Sequence, residues 1–173
     1  MDKKYEIRNA ERHEFRKIGA LMVEVYAALD GFPKPQDQPK YYEMLANVGD
    51  LAQKPGTEIL VAVSADNHIA GAVVYFDDMR YYGSGGTATQ EINSAGFRLL
   101  AVDNQVRGNG IGQLLTKACI EKAKAHQRKQ VIIHTTNAMK TAWKMYEKIG
   151  FKRSSDLDFM QGELPVFGFR YIF

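Results

Sequence analysis

The sequence predicts a mixed α/β domain with helices packed on both faces of one sheet, and three observations carry that expectation. Short runs that alternate every second residue, or are rich in β-branched side chains, take turns with longer runs whose apolar residues recur every three or four positions. A length of 173 residues allows one domain with a sizeable core but not two ordinary domains. Hydrophobic residues at 45% and charged residues at 25% match globular proteins, which excludes disordered, collagenous and coiled-coil classes. No internal repeat, linker or low-complexity tract interrupts the chain, so residues 1–173 read as a single domain.

Tyr5 and Ile7, set among polar neighbours, open with a short strand. Over residues 11–29, Phe15, Ile18, Met22, Val25 and Leu29 fall on one stripe of an amphipathic helix. Pro33, Pro35 and Pro39 end it, and residues 41–52 form a second, shorter helix. Residues 57–64 and 69–76 are strands joined by Asp66-Asn67, turn chemistry for an antiparallel hairpin. Residues 77–93, with Tyr81-Tyr82-Gly83-Ser84-Gly85-Gly86, form a connection of a length that is usually functional or mobile. Residues 97–102 read as a buried strand running into a glycine-rich turn and a helix over 110–127. That helix carries Ile111, Leu114, Leu115, Ala118 and Cys119 inward and Lys117, Lys122 and Lys124 outward. A strand over 131–134, a helix over 140–149 stopped by Gly150, and an aromatic strand over 165–173 complete the chain.

Composition also excludes several functions. One cysteine forms no internal disulfide, and no Cys or His cluster has metal-ligand spacing, so no metal is expected. Lys plus Arg is 23 against 20 for Asp plus Glu, too mild a basic excess to argue for nucleic acid. The basic run Lys122, Lys124, Arg128, Lys129 reads as a solvated face at a helix C-terminus. No apolar run is long enough to cross a bilayer, and the polar opening from Met1 to Ile7 lacks an apolar signal segment, so a cytoplasmic location without membrane contact is expected.

The strongest chemical signal is Gln105-Val106-Arg107-Gly108-Asn109-Gly110-Ile111-Gly112, three glycines at alternate positions between a strand and a helix. A nucleotide P-loop and the dinucleotide fingerprint both need glycine at position 113, where this chain has Gln113. A turn that merely reverses the chain is one alternative left. The other is a phosphate cradle in which free amides from Arg107 to Gly112 and the positive helix end meet one pyrophosphate.

Gln105-x-x-Gly108-x-Gly110 resembles the acetyl-CoA motif of the GNAT superfamily of N-acetyltransferases, and Ala142-x-x-x-Tyr146-x-x-x-Gly150-Phe151 resembles its second signature. The two stand at the usual separation, and the order of elements is similar over nearly the whole chain. One departure is Met139, seven residues before the tyrosine, where the family often has Asn; Asn137 lies two residues earlier. The resemblance implies a single mixed, mostly antiparallel sheet with a central V-shaped splay and helices on both faces. It also implies that acetyl-CoA is the co-substrate, its pantetheine adding strand-like hydrogen bonds to Leu100, Ala101 and Val102. Its pyrophosphate would rest on Arg107, Gly108, Asn109, Gly110, Ile111 and Gly112. The Val102 amide would polarise the thioester carbonyl.

The implied reaction is direct attack of a primary amine on the thioester, with a small molecule as the acceptor. Protein or peptide acetylation and a non-catalytic acyl-CoA sensor are the alternatives, and association into a homodimer stays open. By family analogy residues 26–42, 75–90 and 165–169 wall the acceptor side. Tyr146 is the candidate general acid, because a phenol of pKa about 10 can donate to a departing thiolate near 8.5. It also fits the apolar stripe of Met139, Ala142 and Ile149 as a core residue. Glu91, just ahead of the strand that ends at Val102, is the candidate base, carried to the amine by residues 77–93 acting as a lid; an exposed loop carboxylate is the alternative. His134 reads as a proton relay or a hydrogen-bonded core histidine, and Cys119 as packing.

Overall fold

The computed structural model describes residues 4–173. Residues 1–3 of the polar opening lie outside the described residues. The elements in chain order are β1 (Tyr5–Asn9), α1 (Phe15–Ala27), α2 (Pro39–Ala46), β2 (Thr57–Ser64), β3 (Ile69–Phe76), β4 (Ser94–Val102), α3 (Ile111–Ala125), β5 (Gln130–Thr135), α4 (Lys140–Ile149), β6 (Lys152–Arg153), β7 (Phe159–Gln161) and β8 (Leu164–Ile172). The strands follow the order β1-β2-β3-β4-β5-β8-β6, with β7 paired to β8, and every pair is antiparallel except β4 with β5.

Alternation along the strands divides the core in two. Ile59, Val61 and Val63 of β2 face α1 and α2 with Ala72, Val74 and Ile132, while Leu60 and Ala62 face α3 and α4 with Val73, Tyr75, Val131 and Ile133. α1 lays Ile18 and Met22, both fully buried, on the first face. α3 lays Ile111, Leu115 and Cys119 on the second, whereas Leu114, expected inward, is 41% exposed. Burial pushes the Cys119 thiol up, which keeps it protonated and inert.

Among the differences from the sequence reading, the helix read over 41–52 ends at Ala46 and a 3-10 turn, Val48–Gln53, follows it; three others bear on the packing. The first turn of the long helix is a separate 3-10 turn, Arg12–Glu14, fixed by a capping box and by Arg8, whose guanidinium donates to both Glu14 oxygens at 2.8 and 2.9 Å. Pro39 begins α2 rather than preceding it, since the first helical position needs no amide hydrogen. The third concerns residues 77–93, which are not a free lid. They hold two 3-10 turns, Met79–Tyr81 and Ala88–Gln90, and bury Met79, Tyr82 and Ala88 in the core.

α1 and α2 touch at Gly19, where a β-carbon would run into the Ala46 carbonyl. Gly19→Ala is therefore expected to destabilise the protein by about 1 to 3 kcal/mol, because backbone rather than a pliable side chain is in the way. A fall in the urea midpoint with unchanged m-value checks this.

Candidate active site

A bulge opens the sheet. Parallel pairing of β4 with β5 covers only Ser94–Gly96 against Gln130–Ile132. On its other edge β4 slips register with β3: Ala72 faces Ala101 and Val74 faces Arg98, so Leu99 and Leu100 oppose one residue. Leu99 takes φ of 62°, a left-handed conformation that costs a non-glycine residue of order 1 kcal/mol or more and that bends the strand. β5 meanwhile continues with β8 through Thr135. From Phe97 onward the edge of β4 toward β5 has no strand partner among the described residues. Tyr26 of α1 steadies the bulge, its hydroxyl donating to the Leu100 carbonyl at 3.0 Å. The Asp103 amide bonds to Ala70 at 2.9 Å, so by alternation the Val102 amide turns toward the gap.

The gap is the floor of a cavity of about 970 Å³ that runs from the glycine turn to an aromatic basin of Tyr26, Phe32 and Tyr41. At its mouth Gly108 and Gly110 have φ of 86° and 76°, and among the described residues a β-carbon at either would meet no atom within 4 Å. Both positions need glycine for conformation and leave open space for a ligand. α3 starts there with no side-chain cap and no acidic residue in its first turn, so among the described residues its leading amides are unclaimed by side chains. An anion fits this cradle.

Most of the expected cofactor residues line the cavity: Leu100, Val102, Arg107, Gly108, Gly110, Ile111 and Gly112. Two do not. Ala101 is buried in the core on the α1 face, and the Asn109 side chain is turned aside, donating to the Val106 carbonyl at 2.7 Å and accepting from Lys4 at 3.0 Å. Asn137 and Met139 both line the cavity.

Tyr146 is held by the end of its own helix. Gly150, at φ of 127°, lets the Phe151 amide bond back to the Tyr146 carbonyl at 3.0 Å and the Gly150 amide to Glu147 at 3.2 Å, a Schellman ending. The Phe151 ring then stands 5.7 Å from that of Tyr146, with Phe97 at 5.9 Å on another side. Tyr146 lines the cavity, and none of the side-chain hydrogen bonds among the described residues involves its hydroxyl. Burial pushes the phenol up, so it is protonated at neutral pH.

Glu91, the candidate base, lies apart from the cavity. Arg170 donates to its carboxylate at 2.6 Å, and Arg170 also binds Asp156 at 2.7 Å. It sits beyond the end of β4 where β4 and β5 are still paired, away from the splay. Glu91→Gln is expected to leave the pH profile of kcat/KM parallel to wild type and to cost less than about 1 kcal/mol of stability, the scale of a partly exposed ion pair. Parallel profiles and a thermal melt check both parts.

His134 lines the cavity but both its nitrogens are engaged: Nε2 donates to the Leu157 carbonyl at 2.9 Å, and Nδ1 accepts from the Tyr82 hydroxyl at 2.9 Å. Burial pushes the imidazole below its usual range, so it is neutral. The basic run is also accounted for in part, with Lys122 on Glu58 at 3.1 Å and Arg128 on Asp77 at 2.7 Å. Sequence reasoning passed over two charged residues of the cavity wall, Arg98 and Lys140, while Asp30 falls within residues 26–42, expected on the acceptor side. The only available signal for Arg98 was a charge inside an otherwise apolar strand.

An open-edged mixed sheet with a glycine turn at the mouth of its splay defines an α/β fold whose cleft fits an extended, anionic ligand. The model of the acetyltransferase (GNAT) domain matches residues 47–170, and the chain belongs to that family of acetyltransferases. Solved structures share the fold. An acetyltransferase of the GNAT family from Staphylococcus aureus Mu50 superposes with a TM-score of 0.74 at 16% identity over 97% of this chain and 98% of its own. The yncA protein of Salmonella typhimurium, solved with its cofactor acetyl-CoA, gives 0.65 at 13% identity over 98% and 94%. Among curated proteins, N-acetylaspartate synthetase of Homo sapiens is 30% identical over 104 residues, 60% of this chain and 30% of its own length. The chain thus spans about a third of the length of that relative. Among the described residues no helix is long and apolar enough to cross a membrane.

Proposed function

We propose that the protein, working as one domain, transfers the acetyl group of acetyl-CoA to the primary amine of a small molecule by direct attack. The observation that carries this reading is the continuity of the cavity, from the open glycine cradle past the unpaired edge of β4 to the aromatic basin. The cradle fits a pyrophosphate, with the amides of Gly108 to Gly112 as donors and Arg107 beside them. The open edge at Leu100 and Val102 fits pantetheine as an added strand. Bound acetyl-CoA supplies an acyl group activated as a thioester.

The chain's own residues then supply position and hydrogen bonds. The Val102 amide faces the gap and can stabilise charge on a carbonyl oxygen there. As the C–N bond forms and the C–S bond breaks, Tyr146 donates a hydrogen bond to the developing thiolate. Its raised pKa suits a donor that stays protonated and is less suited to giving the proton away completely. With Glu91 and His134 occupied elsewhere, the amine loses its proton to solvent at the open cleft. Rates are then expected to rise with pH toward the amine's own pKa, about 10.4 for an alkylamine.

The name of the relative N-acetylaspartate synthetase favours a small amine. Protein acetylation stays as a second reading because a ribosomal-protein-alanine N-acetyltransferase from Brucella melitensis shares the fold, with a TM-score of 0.68. CoA release measured across small amines and peptides tests the choice. Turnover of small amines supports the proposal, and turnover of peptides alone overturns the acceptor class.

A further inference from the structure

Arg98 is the unexplained charge of the cavity. It lies on β4 beside the bulge, half-buried, on the face shared with Tyr26 and Tyr41, and it lines the cavity. Among the described residues it forms no ion pair. One Nη1 donates to the Tyr82 carbonyl at 2.9 Å, and the guanidinium stands 5.8 Å from the centre of the Tyr82 ring. A guanidinium has five N–H donors, so most of its capacity is unspent. Its charge bears on Tyr26, Tyr41, Tyr82 and His134, none of which carries negative charge at neutral pH.

Withdrawing a cation from water without an anionic partner is costly, so a cation held this way in a cavity wall points to an anion that arrives with a ligand. Acetyl-CoA would place its phosphates at the other end, where Arg107 and the glycine cradle stand, whereas Arg98 belongs to the aromatic basin on the acceptor side. The other charged side chains of the wall are Asp30, exposed, and Lys140, exposed at the start of α4. Leu100, whose carbonyl Tyr26 holds, is two residues from Arg98 on the same strand.

We propose that the acceptor is an aminocarboxylate, a small molecule bearing both the attacking amine and a carboxylate, and that Arg98 receives the carboxylate through its unspent N–H donors. A planar fork matched to a carboxylate fixes orientation as well as affinity. Arg98 thereby selects the acceptor and aims its amine along β4 toward the thioester. The proposal rests on the acetyl-transfer reading above.

Three amine sets test it: aminocarboxylates, their carboxamides, which keep shape without charge, and the amines with the carboxylate replaced by hydrogen. Wild type is expected to favour the aminocarboxylates in kcat/KM by about 10- to 100-fold, the worth of hydrogen bonds to a charged group. Arg98→Met should erase that preference by raising KM for aminocarboxylates, leave the carboxamides unchanged, and keep acetyl-CoA affinity by calorimetry. Arg98→Lys should restore part of it. A wild type that turns over all three sets equally, or an Arg98→Met enzyme that binds acetyl-CoA but slows on every set alike, overturns the proposal. Wild type that binds no acetyl-CoA, or releases CoA with none of the amines, instead overturns the acetyl-transfer reading and the proposal with it. The substrate comparison needs no variant, so a misfolded Arg98→Met protein leaves the test intact.

Discussion

Tyr146→Phe is expected to lower kcat by about 100-fold, the low end of what one positioned hydrogen-bond donor to a developing anion contributes, while acetyl-CoA binds as before. The change removes one oxygen that takes part in none of the side-chain hydrogen bonds among the described residues, so folding loses none of them. The ring keeps its packing against Phe97 and Phe151 and the helix keeps its Schellman ending. A structural tyrosine and a donor to the thiolate therefore part company in one experiment: single-turnover acetyl transfer at saturating substrate. An unaltered rate, with unaltered stability, returns Tyr146 to the core.

Gly110→Trp is expected to weaken acetyl-CoA binding by about 100-fold or more, because blocking several amide contacts of about 1 kcal/mol each removes that much. The space that makes the turn a cradle is where the indole begins: among the described residues a β-carbon at Gly110 meets nothing within 4 Å. The left-handed φ of 76° adds strain of about 1 to 2 kcal/mol, a modest fall in thermal midpoint. Calorimetric titration of the folded variant reads the affinity directly. Retained affinity removes the turn from the cofactor site.

Local chemistry explains which parts of the architecture could be read in advance. β2 and β3 were legible to the residue because their β-branched runs and the Asp66-Asn67 turn are decided within the hairpin. α4 was legible because Gly150 and the apolar stripe ending at Ile149 act within one helix. The glycine turn announced itself by spacing alone, and Gly108 and Gly110 take φ of 86° and 76° there.

What stayed hidden depends on partners distant in sequence. Glu91 looked like a loop carboxylate near the reaction because its partner Arg170 lies 79 positions away. Residues 77–93 looked like a lid because no local pattern shows that Tyr82 reaches His134, 52 positions on, and buries itself. The bulge at Leu99 has no sequence mark, since leucine rarely takes a positive φ and only the pairing with β3 forces it. β6 and β7 are short strands of two and three residues that exist only by pairing with β8. Arg98 was read as part of a buried strand, and the cavity beside it appears only once β4 and β5 have parted.

The central claim is that acetyl-CoA lies along the open edge of β4 with its pyrophosphate on the glycine turn. Backbone amide NMR during titration with CoA tests it most directly, residue by residue. The amides of Leu100, Val102 and residues 108–112 are expected to shift and gain protection from exchange, while those of Thr57–Ser64, on a strand distant from the splay, stay unchanged. Saturable binding that leaves the amides at 100, 102 and 108–112 unperturbed would contradict the placement.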